Sequence, residues 1–131
     1  MFSDLFIDTI REVVDLRDIK YIKIHHMEPD HSVSLPKLLK EYNLKTIVND
    51  NPLVRNLITS FYGIEPRLKP IKDLEVLTVG GKRLQFIFVS WLHWPETMIT
   101  YIRDMKVLLT CDVFGGFGIS PTLYDEKQRH H

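Results

Sequence analysis

The sequence predicts an α/β domain, and three observations predict it. In the first half, short β-branched or aromatic runs alternate with helix-compatible segments, which is the strand-helix-strand-helix pattern of α/β folds. In the second half, β-rich runs follow one another in pairs, the first pair joined by Gly80-Gly81. Finally, 44% of the 131 residues are hydrophobic, which suits one compact core and leaves no room for a second full domain.

In chain order, Ser3 is placed to cap a first helix running to about Asp15, with Phe6, Ile10, Val13 and Val14 at helical spacing on one apolar face. Asp15-Leu16-Arg17-Asp18 breaks that pattern, and residues 19–24 are β-branched and aromatic enough for a strand. Residues 26–31 read as a loop, because Pro29 lacks a backbone N–H and suits neither a regular helix nor a central strand. Residues 37–42 read as a helix, with Ser32 or Ser34 as its cap and Pro36 in the first turn. A short strand follows at 44–48, and Asn51-Pro52 caps and opens a helix that ends near Tyr62 with Gly63 as its stop. Residues 74–79 and 82–89 form a tight hairpin through Gly80-Gly81, since glycine accepts positive φ at little cost. Residues 98–102 and 106–110 form another strand pair turning near Arg103-Asp104. No repeat, linker or low-complexity segment interrupts the chain, so residues 1–131 are expected to form a single domain.

Composition narrows the classes of partner. Lys plus Arg and Asp plus Glu both number 17, and this balance argues against nucleic acid or an anionic membrane, which usually recruit a basic excess. A single cysteine, Cys111, cannot form an internal disulfide and favours a reducing compartment. No apolar run approaches the roughly 20 residues of a membrane span, and the acidic start Met1-Phe2-Ser3-Asp4 does not resemble a signal peptide. The expected location is therefore the cytoplasm.

The chemistry concentrates in His26-Met27-Glu28-Pro29-Asp30-His31, where four metal-ligand side chains fall within six residues. His26 and Glu28, and Glu28 and Asp30, are two apart, so in an extended segment they point to one side, while His31 points elsewhere. One short loop can thus feed two metal centres. Two imidazoles with two carboxylates form a hard to borderline set that suits iron or manganese as well as zinc. The competing explanation is a polar turn whose His and Asp cap the following helix.

Two later strand exits add to the set. His93 lies between two tryptophans in Trp91-Leu92-His93-Trp94-Pro95, and Asp112 follows Cys111 before a glycine-rich stretch. Taken singly, His93 reads more readily as a packed, hydrogen-bonded residue and Asp112 as a cap or turn residue. Taken with the 26–31 loop they complete six ligands, and the two oxygens of Asp112 suit it to bridge two metals.

Those same residues carry a family resemblance. His26-Met27-Glu28-Pro29-Asp30-His31-Ser32, Trp91-Leu92-His93-Trp94-Pro95-Glu96-Thr97-Met98 and Cys111-Asp112-Val113-Phe114-Gly115 resemble, in order, the three signatures of the metallo-β-lactamase-like domain of the flavodiiron proteins. Phe61-Tyr62-Gly63-Ile64 and Leu123-Tyr124-Asp125-Glu126 add to the similarity. Glu28 is the distinguishing position, because hydrolases of the same superfamily usually carry His there. The resemblance implies a metallo-β-lactamase-like αββα sandwich, present here as a truncated central portion, with one iron held by His26, Glu28 and His93, the other by Asp30 and His31, and Asp112 bridging. It further implies reduction of dioxygen or nitric oxide, with electrons reaching the metals from an FMN-containing flavodoxin-like domain.

The departures from the family pattern define further expectations. The N-terminal strands, the family's last His ligand to the second iron and the flavodoxin domain have no counterpart in this sequence, so no FMN is expected on this chain. The donor would be a separate flavoprotein or a rubredoxin-like protein, and the first metal position would fill in preference to the second. Val33 stands where the family usually has Gly and narrows the pocket; His25 stands where it usually has Asn and reads as a strand-end residue rather than a ligand. The terminal His130 and His131 read as natural residues, a tag remnant or a replacement donor. Exposed sheet edges predict a homo-oligomer or a separately encoded partner. Three functions follow: a di-iron oxidoreductase, a zinc hydrolase of the same superfamily, or a non-catalytic metal-binding remnant. No catalytic group beyond the metal ligands is expected.

Overall fold

The computed structural model describes residues 2–41, 47–48 and 51–115. Residues 44–46 of the expected second strand, the 123–126 motif and the pair His130 and His131 lie outside the described residues. Helix α1 (Phe2–Arg11) leads through a 3₁₀ turn (Leu16–Asp18) to strand β1 (Ile22–Lys23), followed by α2 (Pro29–Ser32), α3 (Leu35–Glu41) and β2 (Ile47–Val48). Helix α4 (Pro52–Tyr62) and β3 (Leu68–Lys69) close the first half, and β4 (Val76–Val79), β5 (Lys82–Phe88), β6 (Met98–Ile102) and β7 (Val107–Leu109) make the second. No helix among the described residues is long and apolar enough to cross a membrane.

Two sheets result. Strands β1, β2 and β3 form a parallel sheet in that order, with Ile22 opposite Ile47 and Ile47 opposite Leu68. Strands β4 to β7 form an antiparallel sheet in sequence order, in which Phe86 pairs with Thr100 and Thr100 with Leu109. Helices accompany the parallel half, as connections between parallel strands require. Met98 N–H donates to the His25 carbonyl at 3.0 Å, and His25 Nε2 lies 2.8 Å from Thr100 Oγ1, so the end of the β1 segment is fastened to β6. His25 is therefore a strand-end residue.

Among the described residues the core has three parts. Ile24, Met27, Leu35, Ile47, Val54 and Ile58 pack between the parallel sheet, α3 and α4. Ile7, Leu16 and Leu38 join α1 to α3, while Ile71, Phe86 and Met98 cover one face of the antiparallel sheet. Each such side chain taken fully from water stabilises the fold by about 1.5–3 kcal/mol.

Several local rules are visible. Asn51 Oδ1 accepts the Leu53 N–H at 3.0 Å, Pro52 opens α4, and Gly63 at φ 61°, ψ 29° ends it with its N–H on the Thr59 carbonyl. Gly80 and Gly81, at φ 56° and 75°, turn the β4–β5 hairpin in the doubly left-handed conformation that matches strand twist.

Two expectations need correction. Among the described side chains of α1 the buried one is Ile7 at 1% exposure, whereas Phe6 at 49% faces outward and Val13 at 86% lies beyond the helix end at Arg11; a helix this short and peripheral buries a narrower stripe than its apolar content suggests. The 26–31 segment is also not wholly a loop. Pro29 opens one helical turn, with the Glu28 carbonyl accepting from the His31 and Ser32 N–H groups at 3.0 Å, because a proline at the first helical position sacrifices no bond. Strand β3, short and flanked by Pro66 and Pro70, was not expected from the sequence.

Candidate metal centre

Three backbone pieces converge on one spot. The first is the 25–32 segment, whose backbone enters from β1 and turns into α2; buried Met27 at 0% exposure anchors it in the core, leaving His26 and Glu28 on the other side. Ser32 Oγ lies within hydrogen-bond distance of the Met27 and Glu28 carbonyls and 2.6 Å from the Tyr62 hydroxyl, tying the turn to the end of α4. The second piece is the β5–β6 connection, in which Trp91 N–H donates to the Trp94 carbonyl and Leu92 N–H to that of Val89. The third follows β7, where Val113 N–H donates to Thr110 and Gly115 N–H to Asp112.

The two later pieces are sharply turned. Trp91, His93, Cys111 and Phe114 have φ of 68°, 81°, 54° and 72°, values that L-residues seldom adopt. Such positions persist where surrounding structure enforces them, and they cluster at functional sites. Here they deliver His93 and Asp112.

The donors meet at close range. Glu28 Oε2 lies 3.0 Å from Nε2 of both His26 and His93, and Asp112 Oδ2 lies 3.7 Å from His26 Nε2 and 3.1 Å from His31 Nε2. His26, Glu28, His93 and Asp112 each offer a ligand atom within 4.8 Å of the others; His31, Cys111 and Asp112 form a second such group that shares Asp112. Donors held about 2.1 Å from one cation stand roughly 3.0–3.4 Å apart, so the arrangement suits an ion of the size of iron or zinc. Five of the six expected residues thus come together. Asp30 stands apart: its side chain is 73% exposed, Oδ1 accepts the His31 N–H, and Oδ2 is 3.7 Å from His31 Nε2.

Charge follows from this geometry. Hydrogen bonds from His26 and His93 hold the Glu28 carboxyl below its usual range, and the Glu28 carboxylate raises His93. A cation would take the place of those protons, and its charge would offset the mutual repulsion of Glu28 and Asp112. Burial raises the Cys111 thiol, with the neighbouring Asp112 and Asp30 charges also opposing the thiolate.

Residues that the sequence did not single out complete the setting. Trp94 meets the His26 ring edge to face at 5.0 Å and 79°. Glu96 Oε1 lies 3.1 Å from His26 Nδ1 and accepts the Met27 N–H at 3.0 Å. In the sequence Glu96 stood out only as a member of the second family signature, three residues after His93. Behind the cluster a cavity of about 230 Å³ is lined by Lys23, His25, His26, His31 and Cys111 among others.

A parallel sheet and an antiparallel sheet with flanking helices, and a His and carboxylate cluster at the strand ends, define a domain of the metallo-β-lactamase type. The family model described as ODP family beta lactamase matches residues 1–131. The chain belongs to that family, whose relatives in this comparison are flavodiiron proteins. It is 33% identical over 129 residues to the flavo-diiron protein FprA2 of Clostridium acetobutylicum, covering 96% of this chain and 32% of that protein. It is 32% identical over 127 residues to the anaerobic nitric oxide reductase flavorubredoxin of Aliivibrio salmonicida, covering 96% and 26%. A solved flavoprotein from Thermotoga maritima superposes with a TM-score of 0.83 at 38% identity, over 97% of this chain and 31% of that one. The chain spans about a quarter to a third of the length of these relatives.

Proposed function

We propose that this chain is the metal-binding part of a di-iron oxidoreductase that reduces nitric oxide or dioxygen with electrons from a flavin or rubredoxin-type donor. The observation that carries the proposal is Glu28, a carboxylate set 3.0 Å from the Nε2 atoms of both His26 and His93. An all-imidazole set suits a zinc-bound hydroxide; a hard carboxylate in that place favours iron. The name of the flavorubredoxin relative supports nitric oxide as a substrate.

In this reading His26, Glu28 and His93 would hold one ion, Asp30 and His31 would serve the other, and Asp112 would serve both. A bound iron pair would supply electrons to a diatomic oxidant. The chain's own residues fix the donors: Met27 anchors the loop, Trp94 braces the His26 ring, and the half-exposed His93 and His31 leave the cluster open on one side for a small molecule to enter. Asp30 joins by a rotation of its exposed side chain. FMN belongs to the donor and not to these residues. A cytoplasmic setting and a homo-oligomer complete the reading, the latter supported by the exposed Val107, Leu108 and Leu109 of edge strand β7.

The deciding experiment is metal analysis of protein made in iron-supplemented cells, then anaerobic titration of the reduced protein with nitric oxide and with oxygen. Iron in at least equimolar amount and stoichiometric oxidation by either gas are expected. Zinc alone, with ester hydrolysis and no oxidation, would overturn the reading.

A further inference from the structure

Glu96 is a carboxylate with no exposed side-chain surface, on the loop that also carries His93. Its Oε1 serves two donors from the opposite half of the chain, the Met27 N–H at 3.0 Å and His26 Nδ1 at 3.1 Å. Oε2 is buried without a hydrogen-bond partner among the described residues, and no lysine or arginine pairs with Glu96 there. A buried carboxyl oxygen so placed is costly unless a compensating partner lies close by. Among the described residues, the one cationic or hydrogen-donating side chain in contact with it is His26.

His26 is itself 1% exposed at its side chain, so its two ring nitrogens have fixed and different surroundings. With Nδ1 donating to Glu96, the proton that a cation would displace is the one on Nε2, leaving the lone pair there to face Glu28 and Asp112 at 3.0 and 3.7 Å. A ligating imidazole whose other N–H is held by a carboxylate is fixed in tautomer and orientation and becomes a stronger donor. The Met27 bond adds a second effect. It pins the backbone between His26 and Glu28 to the loop that bears His93, so one oxygen sets the spacing of three donors.

We propose that Glu96 is a positioning residue, holding His26 with Nε2 directed at the cation position and locking the 26–28 backbone to the His93 loop. The proposal rests on the metal-centre reading above. Its charge also gives the buried carboxylate a reason to be there, since a cation on the far side of the imidazole stabilises it.

The test uses cobalt(II) as the probe with the wild-type chain, Glu96→Gln and Glu96→Ala, reading affinity by optical titration and the hyperfine-shifted, exchangeable Nδ1–H proton of His26 by NMR. Wild type is expected to bind cobalt and show this proton protected from solvent exchange. Glu96→Gln keeps an acceptor of the same shape, so binding falls by about tenfold and the proton stays protected but moves in shift. Glu96→Ala removes the acceptor, so binding falls by about a hundredfold and protection is lost. Equal affinity and an unmoved proton in both variants would overturn the positioning role and leave the metal centre intact. If wild type binds no cobalt, both readings fail together. Should Glu96→Ala not fold, Glu96→Gln decides alone: wild-type affinity with an unmoved resonance refutes the proposal.

Discussion

Glu28 and His93 are 65 residues apart in sequence, and Oε2 of one lies 3.0 Å from Nε2 of the other. The contact joins the helical turn after β1 to the sharply bent loop before β6, and each group shifts the other's protonation toward the charged form. Its geometry orders the ligand variants. His93→Ala should abolish the first equivalent of cobalt(II) bound, His31→Ala should weaken only the second, and Asp112→Asn should weaken both. Equal losses from the two histidine changes in a metal titration would contradict this ranking.

A Cβ added at Gly115 would lie 2.9 Å from the Asp112 carbonyl oxygen, a backbone atom that cannot swing aside. Gly115→Ala should therefore shift the turn that presents Asp112, lowering stability by about 1–3 kcal/mol and cobalt affinity with it. Gly63→Ala is the control. Its φ of +61° makes alanine unfavourable by about 1–2 kcal/mol, while no atom stands within 4 Å of the new Cβ. Urea denaturation should register both, and metal titration only the first.

Met27 has no exposed surface and packs between Ile24, Leu35 and the α4 residues, with His26 and Glu28 on either side of it in sequence. Met27→Ala should cost about 2–5 kcal/mol through lost burial and an unfilled cavity. Since the same residue anchors the loop, cobalt affinity should drop in the folded variant. A stability loss below about 1 kcal/mol would show that the loop does not depend on this anchor.

Burial lowers the Lys23 amine from 10.5 to about 7. Between those values the unfolded chain holds a proton that the folded chain has released, so stability rises with pH by up to about 1.4 kcal/mol per unit. Below about 7 both states are protonated and the penalty is constant. Lys23→Met should remove the rise, which urea midpoints collected from about pH 7 to about pH 9 would reveal as a flatter profile than wild type. Parallel profiles would mean that the amine keeps its proton in the folded chain.

The sequence was most legible where one residue type answers one backbone need. Asn51, Pro52 and Gly63 bound α4, and Gly80-Gly81 turn the hairpin, because capping and positive φ admit few alternatives. It was least legible where burial decides. The apolar residues of α1 do not announce that Ile7 rather than Phe6 meets the core, and β3 has two residues, too few for any alternation to appear. In the site, His26, Glu28, His31, His93 and Asp112 were legible as metal-ligating residue types and stand together, whereas Asp30, expected on the same side as Glu28, is carried outward by the helical turn. Glu96 was hidden because its partners are 69 and 70 residues away.

Because His26, Glu28 and His31 come from the parallel half and His93 and Asp112 from the antiparallel half, an ion seated among them acts as a rivet across the joint. Chelation would then loosen the seam as well as empty the site. Amide exchange at Met27 and Met98, whose N–H groups bond across that joint, would speed up before either sheet melted.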